Sequence, residues 1–176
     1  MSLAKMLAAV AGIGFAAGLA AQQAGQYESP PETLPKAVGR QPILFNHKLH
    51  SEAGIKCHDC HPGAAKRREA GLPKLADCMV CHATIATDHP EIAKLALLVD
   101  TKVKVNWVRA YQVPDCVFFI HKKHVEKGET CENCHGPVAT RPVLAKEKST
   151  SMTACMNCHA ERGFRDECFF CHDLGQ

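Results

Sequence analysis

Apolar residues follow a regular period in only two short stretches of the chain. In Glu91–Val99 they recur at three-residue spacing, which predicts one amphipathic helix. In Val103–Trp107 they alternate with polar residues, which predicts a short strand that ends before Pro114. The rest of the sequence suggests short helical turns joined by loops. The sequence therefore predicts a mainly α-helical chain with much irregular loop.

The first 21 residues have the pattern of an export signal. Lys5 precedes an uncharged apolar run, Met6–Ala21, that ends in small residues. This run is shorter than the roughly 20 residues of a membrane-spanning helix. We predict a signal peptide over residues 1–21, with an N-terminal anchor as the alternative, and a location in the periplasm or on the outer face of the inner membrane. Proline and glycine in residues 22–42 predict an extended arm.

Cysteine and histidine change this picture. The 176-residue chain holds 11 of each, and ten of the cysteines form five Cys-x-x-Cys pairs that a histidine follows directly. Cys-x-x-Cys-His is the attachment signature of c-type haem, in which both thiols bond to the porphyrin and the histidine becomes an axial iron ligand. In chain order the five motifs are Cys57, Cys60 and His61; Cys78, Cys81 and His82; Cys131, Cys134 and His135; Cys155, Cys158 and His159; and Cys168, Cys171 and His172.

Other cysteine chemistries explain this pattern less well. Zinc sites and dithiol redox centres also use Cys-x-x-Cys, but neither requires histidine at the next position. A disulfide framework explains none of the histidines. We therefore predict five covalently bound haems c, which would form the hydrophobic core of a chain with only about 30 mature residues per haem. The eleventh cysteine, Cys116, is predicted to be a small apolar residue without a role in the site.

A second pattern precedes the first and third motifs. Phe-x-His-x-x-His occurs twice, and each copy begins 12 residues before the first cysteine of the following motif. This 74-residue repeat predicts a first haem unit at 43–88 with two motifs, a connecting segment at 89–116 and a second haem unit at 117–176 with three motifs. The two copies are Phe45-Asn-His47-Lys-Leu-His50 and Phe119-Ile-His121-Lys-Lys-His124.

The spacing of these paired histidines suits distal haem ligands. Haem iron in electron-transfer proteins usually has a protein ligand on each face, so five haems require five further donors. Two histidines three positions apart on a helical turn project from the same face. One can reach the haem attached just downstream and the other a different haem, which would hold the two haems close together. We predict that His47, His50, His121 and His124 are four of the distal ligands.

These motifs resemble those of the class III cytochromes, the cytochrome c3 and c7 group. The resemblance extends to the pentahaem cytochrome subunit of alternative complex III, a membrane quinol:acceptor oxidoreductase, over FNHKLHSEAGIKCHDCH, CMVCHATIATDHPEIAKL, NWVRAYQVPDCVFFIHKKHVEKGETCENCHGPV and SMTACMNCH. It implies a haem-stacked, class III-like multihaem cytochrome c, with partner subunits in a membrane quinol-oxidising complex and membrane association through the N-terminus. It also favours Met152, three residues before Cys155, as the fifth distal ligand, with His89 and His58 as alternatives.

The predicted function is electron transfer as a subunit of such a complex. One alternative is a free or filament-forming periplasmic electron carrier, whose partner would be a periplasmic redox protein. The other is a multihaem reductase. A reductase needs one iron with an open face, whereas all five motifs end in histidine and spare donors are present, so we predict no catalytic residues. The formal net charge of +3 would become about −3 after loss of the leader and binding of five ferric haems, so nucleic-acid binding is not expected.

Overall fold

The structure, a computed structural model, describes residues 32–164 and 167–172. Within these ranges short helices alternate with loops, and the longest helix has 11 residues. This confirms the prediction of a mainly α-helical chain with much irregular loop. The predicted signal peptide lies outside the described residues. The elements in chain order are β1 (Lys36–Ala37), α1 (His47–Glu52), α2 (Cys57–Cys60), α3 (Leu75–His82), α4 (Pro90–Asp100), α5 (His121–Glu126), α6 (Cys131–His135), a 3₁₀ turn (Val138–Thr140), β2 (Ala145–Lys146), α7 (Met152–Glu161) and α8 (Cys168–Cys171).

The two cysteines of each attachment motif lie on a helical turn. Helices α2, α6 and α8 begin at the first cysteine of a motif, whereas α3 and α7 begin three residues before it. In α2 and α3 an aspartate at the third position, Asp59 or Asp77, accepts a 2.8 Å hydrogen bond from the backbone N–H of the residue before the helix. Because positions i, i+3 and i+4 share one face of a helix, the two cysteines and the histidine lie on the same face in the motifs of α3, α6 and α7. Helices α2 and α8 end at the second cysteine, and His61 and His172 follow them with non-helical backbone.

Helix α4 matches the amphipathic helix that the sequence predicts. It begins after His89, whose side chain accepts a hydrogen bond from the Glu91 backbone N–H, and Pro90 occupies its first turn. The helix packs against α3, and its central Leu95 is buried. The three-residue spacing of apolar side chains therefore does mark a buried helical face.

The predicted strand at Val103–Trp107 is wrong. These residues form no strand in the part of the chain that the structure describes. A side chain takes the place of a neighbouring strand just beyond them: the Gln41 amide nitrogen donates to Val108 O at 2.8 Å, and its oxygen accepts from the Val108 N–H at 3.0 Å. Alternation of apolar and polar residues indicates an extended segment, but a sheet also requires a second backbone to pair with it.

The predicted extended arm is attached to the second haem unit. Strand β1, within the arm, pairs antiparallel with β2, so that Lys36 lies opposite Lys146 and Ala37 opposite Ala145. Lys146 also forms an ion pair with Glu32 at 2.6 Å. Helix α1 of the first haem unit packs against the 3₁₀ turn of the second. The two predicted units are thus in direct contact, and their division at the connecting segment stays a prediction.

The polypeptide buries few apolar side chains. Among the described residues, only Ile43 and Leu95 are buried apolar residues, with exposures of 6% and 3%. No helix in these ranges is long and apolar enough to cross a bilayer. Because burial of apolar surface is the main favourable term in folding, this fold calls for a further apolar group between its helices. Porphyrin rings held by the attachment motifs would supply it.

Candidate haem-binding site

Helix α1 presents two histidines beside one aromatic ring. His47 and His50 lie one turn apart, and the helix begins after Asn46, whose side chain accepts a hydrogen bond from Leu49 N–H at 3.1 Å. The Phe45 ring contacts both imidazoles, edge-on to His47 at 4.7 Å and stacked with His50 at 4.3 Å between ring centroids. Phe45 therefore limits the rotation of two candidate ligands at once.

Helix α5 repeats this arrangement. The Phe119 ring lies 4.7 Å from His121, edge-on, and 4.6 Å from His124, between ring centroids. The sequence identified these phenylalanines only as markers of the repeat. In the structure they are packing partners of the histidines, and the recurrence of Phe at the same register was the signal that could have revealed this role.

Three pairs of imidazoles from different helices lie close together. In each pair, one ring belongs to Phe-x-His-x-x-His and the other is the histidine of an attachment motif, and the centroids lie 6.0 to 6.4 Å apart. The angle between the ring planes differs widely from pair to pair. The pairs are His50 and His82 at 6.0 Å and 70°, His121 and His135 at 6.4 Å and 1°, and His124 and His159 at 6.1 Å and 27°.

This separation fits two imidazoles bound to opposite faces of one metal ion. A metal lies about 2.0 Å from an imidazole nitrogen, which itself lies about 1.1 Å from the ring centroid, so two opposed ligands place their centroids about 6 Å apart. Rings in direct van der Waals contact would be closer, at about 4.5 Å. The residues present therefore fit haem iron with two axial imidazoles.

Hydrogen bonds at Nδ1 leave the other imidazole nitrogen available. In five of the candidate ligands Nδ1 is bonded to a backbone carbonyl, which can only accept, so Nδ1 carries the proton and Nε2 keeps its lone pair. Ring-nitrogen bonds of this kind orient metal-binding histidines. The acceptors are Asn46 O for His50 at 2.8 Å, Gly71 O for His61 at 2.7 Å, Ile85 O for His82 at 3.0 Å, Arg68 O for His121 at 2.9 Å and Ile120 O for His124 at 2.9 Å.

Burial favours the neutral form of two candidate ligands, His47 and His135. Burial lowers the pKa of His47, and the nearby His61 and His50 lower it further. Burial also lowers the pKa of His135, with further contributions from His121 and His61. The His47 Nδ1 atom is buried without a hydrogen-bond partner in the described structure. Since a metal binds imidazole in its neutral form, these environments suit iron ligands.

The loop after the first motif fixes a histidine of the second haem unit. Both the backbone N–H and the Nδ1 of His121 donate to Arg68 O, at 3.0 and 2.9 Å. The Arg68 guanidinium donates to Val117 O at 3.0 Å and lies 5.6 Å from the centroid of the Phe118 ring. Sequence reasoning missed this role, because a backbone carbonyl makes the main contact and no residue type is required for it.

Attachment thiols from different motifs lie side by side. Burial, together with the adjacent Cys57 thiol, raises the pKa of Cys131 to about 11. Burial likewise raises the pKa of Cys155, which lies near Cys134 and Cys171. A hydrogen bond thus joins the first motif to the third, and thiols of the third and fourth motifs and of the fourth and fifth motifs lie near each other. The first and second motifs meet at Cys60 and Cys78.

The fifth motif is anchored on the segment that precedes α5. The Phe118 N–H donates to Cys171 O at 2.7 Å, and His172 forms a β-bridge with Val117. Among the described contacts, His172 has no ring pair of the kind found for the second, third and fourth motifs. Met152, the donor that the family resemblance favours, is the first residue of α7 and is 62% exposed.

The two alternative donors have unfavourable surroundings. Nδ1 of His89 accepts the Glu91 N–H at 3.2 Å, so the proton of the neutral ring lies on Nε2, the nitrogen that would have to bind iron. His58 is exposed within the first motif. In the described structure neither ring makes an Nδ1 bond to a backbone carbonyl of the kind found for His50, His121 and His124.

Two comparisons with known proteins agree with this geometry. Residues 49–136 match the family model described as cytochrome c3. A protein of Nitratidesulfovibrio vulgaris (strain Hildenborough) named menaquinone reductase, multihaem cytochrome c subunit, is 33% identical over 160 residues, with 75% of this chain and 76% of the relative covered. The predicted class III-like fold and haem c as cofactor are thereby confirmed. The chain belongs to the cytochrome c3-like family of multihaem c-type cytochromes, whose function is electron transfer.

Proposed function

We propose that this chain binds five haems c and transfers electrons as the cytochrome subunit of a membrane quinone/quinol oxidoreductase. The observation that carries the haem assignment is the set of three imidazole pairs 6.0 to 6.4 Å apart, each joining a repeat histidine to an attachment motif. When bound, the haems supply the iron centres between which electrons move. The proposed axial ligand pairs are His47 with His61, His50 with His82, His121 with His135, His124 with His159, and Met152 with His172.

The pair formed by His47 and His61 rests on proximity and chemistry. His61 is close enough to lower the pKa of His47. Only burial lowers this pKa more. The Nδ1 atom of His61 is bonded to Gly71 O, which leaves its Nε2 for a metal. With His50 committed to His82, His47 is the remaining donor on α1.

The assignment of Met152 is supported by the contacts of α7. Met152 lies one turn before Cys155 on this helix, and Cys155 lies near Cys171 of the fifth motif. A thioether at this position is therefore near the fifth motif. The protonated Nε2 of His89 and the exposure of His58 favour Met152 further.

The contacts between motifs support a linear order of electron transfer. Each repeat helix joins two haems, because α1 carries one ligand for each haem of the first unit and α5 carries ligands for the third and fourth haems. Cys57 and Cys131 connect the two units. The proximity of the thiols supports the order second, first, third, fourth and fifth motif, with the second and fifth at the ends.

Partner subunits and location are inferred from the sequence and from the relative's name. That name describes a subunit of a menaquinone reductase, and the family resemblance noted above is to a quinol-oxidising complex. Both favour a chain that exchanges electrons with a quinone-binding partner, on the periplasmic side that the leader predicts. Purification of the native chain from solubilised membranes tests this: integral and iron–sulfur subunits should co-purify, whereas a chain recovered alone in the periplasmic fraction would indicate a free electron carrier.

The haem number gives a direct prediction. The intact mass of the denatured protein should exceed that of the mature chain by five haem masses, because thioether bonds survive denaturation. Replacing both Cys168 and Cys171 with alanine should remove one haem mass and leave four. A wild-type excess of four haems or fewer would contradict the proposal.

The ring angles predict distinct electron paramagnetic resonance signals from the oxidised protein. In low-spin ferric haem, parallel axial imidazoles give a rhombic signal, whereas nearly perpendicular imidazoles give a signal with one large g value. We expect the pair His121 and His135, at 1°, to give the former and the pair His50 and His82, at 70°, to give the latter. A spectrum without a large-g component would contradict the second assignment.

A further inference from the structure

Tyr111 contacts a proposed proximal haem ligand from the connecting segment. Its ring lies edge-on to the His135 ring, with centroids 4.5 Å apart and planes at 84°. Its hydroxyl donates to the backbone carbonyl of the same residue at 3.0 Å. One side chain therefore restrains both the backbone and the imidazole of His135. The sequence assigned this residue no role.

The Tyr111 hydroxyl uses its full hydrogen-bonding capacity. Besides donating to His135 O, it accepts from the backbone N–H groups of Glu147 at 2.8 Å and Lys148 at 3.3 Å. A phenol has one donor and two acceptor sites, so no site is left for solvent. Three hydrogen bonds at the hydroxyl thus fix the position of the ring.

An ion pair holds the segment that carries the two N–H donors to the Tyr111 hydroxyl. The Glu147 carboxylate binds the Arg141 guanidinium through two hydrogen bonds, one of them at 2.8 Å from the terminal nitrogen. Arg141 O in turn accepts from the Lys48 N–H of α1 at 3.1 Å. Gly136, next to His135, permits the close approach, since a Cβ there would lie 2.9 Å from that of Glu147. A continuous set of contacts therefore runs from α1 to His135.

We propose that Tyr111, held by the Arg141–Glu147 ion pair, is a positioning residue that sets the imidazole plane of His135. This rests on the proposed role of His135 as an iron ligand. The His135 plane is parallel to that of His121 within 1°, and rotation of either ring would change that angle. Because the angle controls the splitting of the iron d orbitals, Tyr111 sets the magnetic signature and the reduction potential of the haem between these two rings, the third along the chain.

The test compares three variants of the full holoprotein. Tyr111→Leu removes both the ring contact and the hydroxyl, whereas Tyr111→Phe removes only the hydroxyl. Phe164→Leu is the matched control, because Phe164 lies edge-on to a different proximal histidine, His159, at 6.2 Å. Each protein is measured by denatured intact mass, by electron paramagnetic resonance of the oxidised form and by stepwise redox titration.

We expect Tyr111→Leu to keep five haem masses and to shift or broaden the rhombic signal of one haem, with the large-g signal unchanged. Tyr111→Phe should shift the reduction potential of the same haem with a smaller spectral change. If the Tyr111→Leu protein does not accumulate, the Tyr111→Phe protein alone tests the inference. Phe164→Leu should alter a different signal. Spectra and potentials identical to wild type in both Tyr111 variants, or equal changes at all haems, would overturn the inference. Too few haems in the wild type would instead overturn the proposed function.

Discussion

His50→Ala should convert one of the five haems from low-spin to high-spin. In the proposed arrangement, His50 is the distal ligand of the haem whose proximal ligand is His82, and the two rings lie 6.0 Å apart. Loss of the imidazole leaves the iron with an open face, which binds small ligands. We expect about a fifth of the haem to show a high-spin absorption band, to bind carbon monoxide when reduced and to return to low-spin on addition of free imidazole.

His58→Ala is the matched control for this variant. His58 also lies in the first haem unit, but it is exposed and has no partner ring in the described structure. Its replacement should leave all haems low-spin and unreactive toward carbon monoxide. A His50→Ala protein that stays fully low-spin would show that His50 is not a ligand. A high-spin His58→Ala protein would show that His58 is a ligand, contrary to the proposal.

Replacement of Met152 should remove the highest-potential step from the redox titration. Thioether sulfur is softer than imidazole and favours ferrous iron, so a haem with His and Met ligands has a higher potential than one with two histidines. Met152→His should keep five attached haems, eliminate the high-potential step and abolish the weak near-infrared band of ferric His/Met haem. Met152→Ala should leave that haem five-coordinate.

Met156→Ala is the control for Met152, since both methionines lie on α7. Met156 is one of the two variable residues of the fourth attachment motif, and its replacement should leave the near-infrared band in place. If the wild type lacks this band and Met152→Ala changes no spectrum, Met152 is a packing residue. His89 would then become the candidate for the fifth distal ligand. In that case one haem of the His89→Ala protein should change from low-spin to high-spin.

The sequence alone was enough to predict the chemistry of each attachment site. Two cysteines three residues apart lie on one face of a helical turn, and the histidine follows directly, so all three residues that would hold one haem are local in sequence. The same is true of Phe45 with His47 and His50, where one aromatic ring and two imidazoles meet because they lie within six residues. Short-range geometry of this kind is fixed by helical spacing.

The sequence also predicted the class of fold, but not all of its elements. Helix α4 was identified because a buried helical face leaves a periodic pattern in one continuous stretch. The strand at Val103–Trp107 was not formed, because an alternating pattern contains no information about a partner, and the Gln41 side chain bonds to Val108 instead. The sequence likewise did not predict that strand β1 of the arm pairs with β2, where Lys36 lies opposite Lys146.

Only the tertiary structure decided which histidine lies beside which motif. His50 lies beside His82 rather than beside His61, which is nearer in sequence. On α5 the two rings lie beside different helices, His121 beside His135 and His124 beside His159. The supports of these rings are also distant in the sequence: Arg68 O fixes His121, and Tyr111 restrains His135. Local periodicity specifies the direction of a side chain from its own helix, whereas the partner it meets depends on how the helices pack, and that packing is set by contacts between residues far apart in the chain.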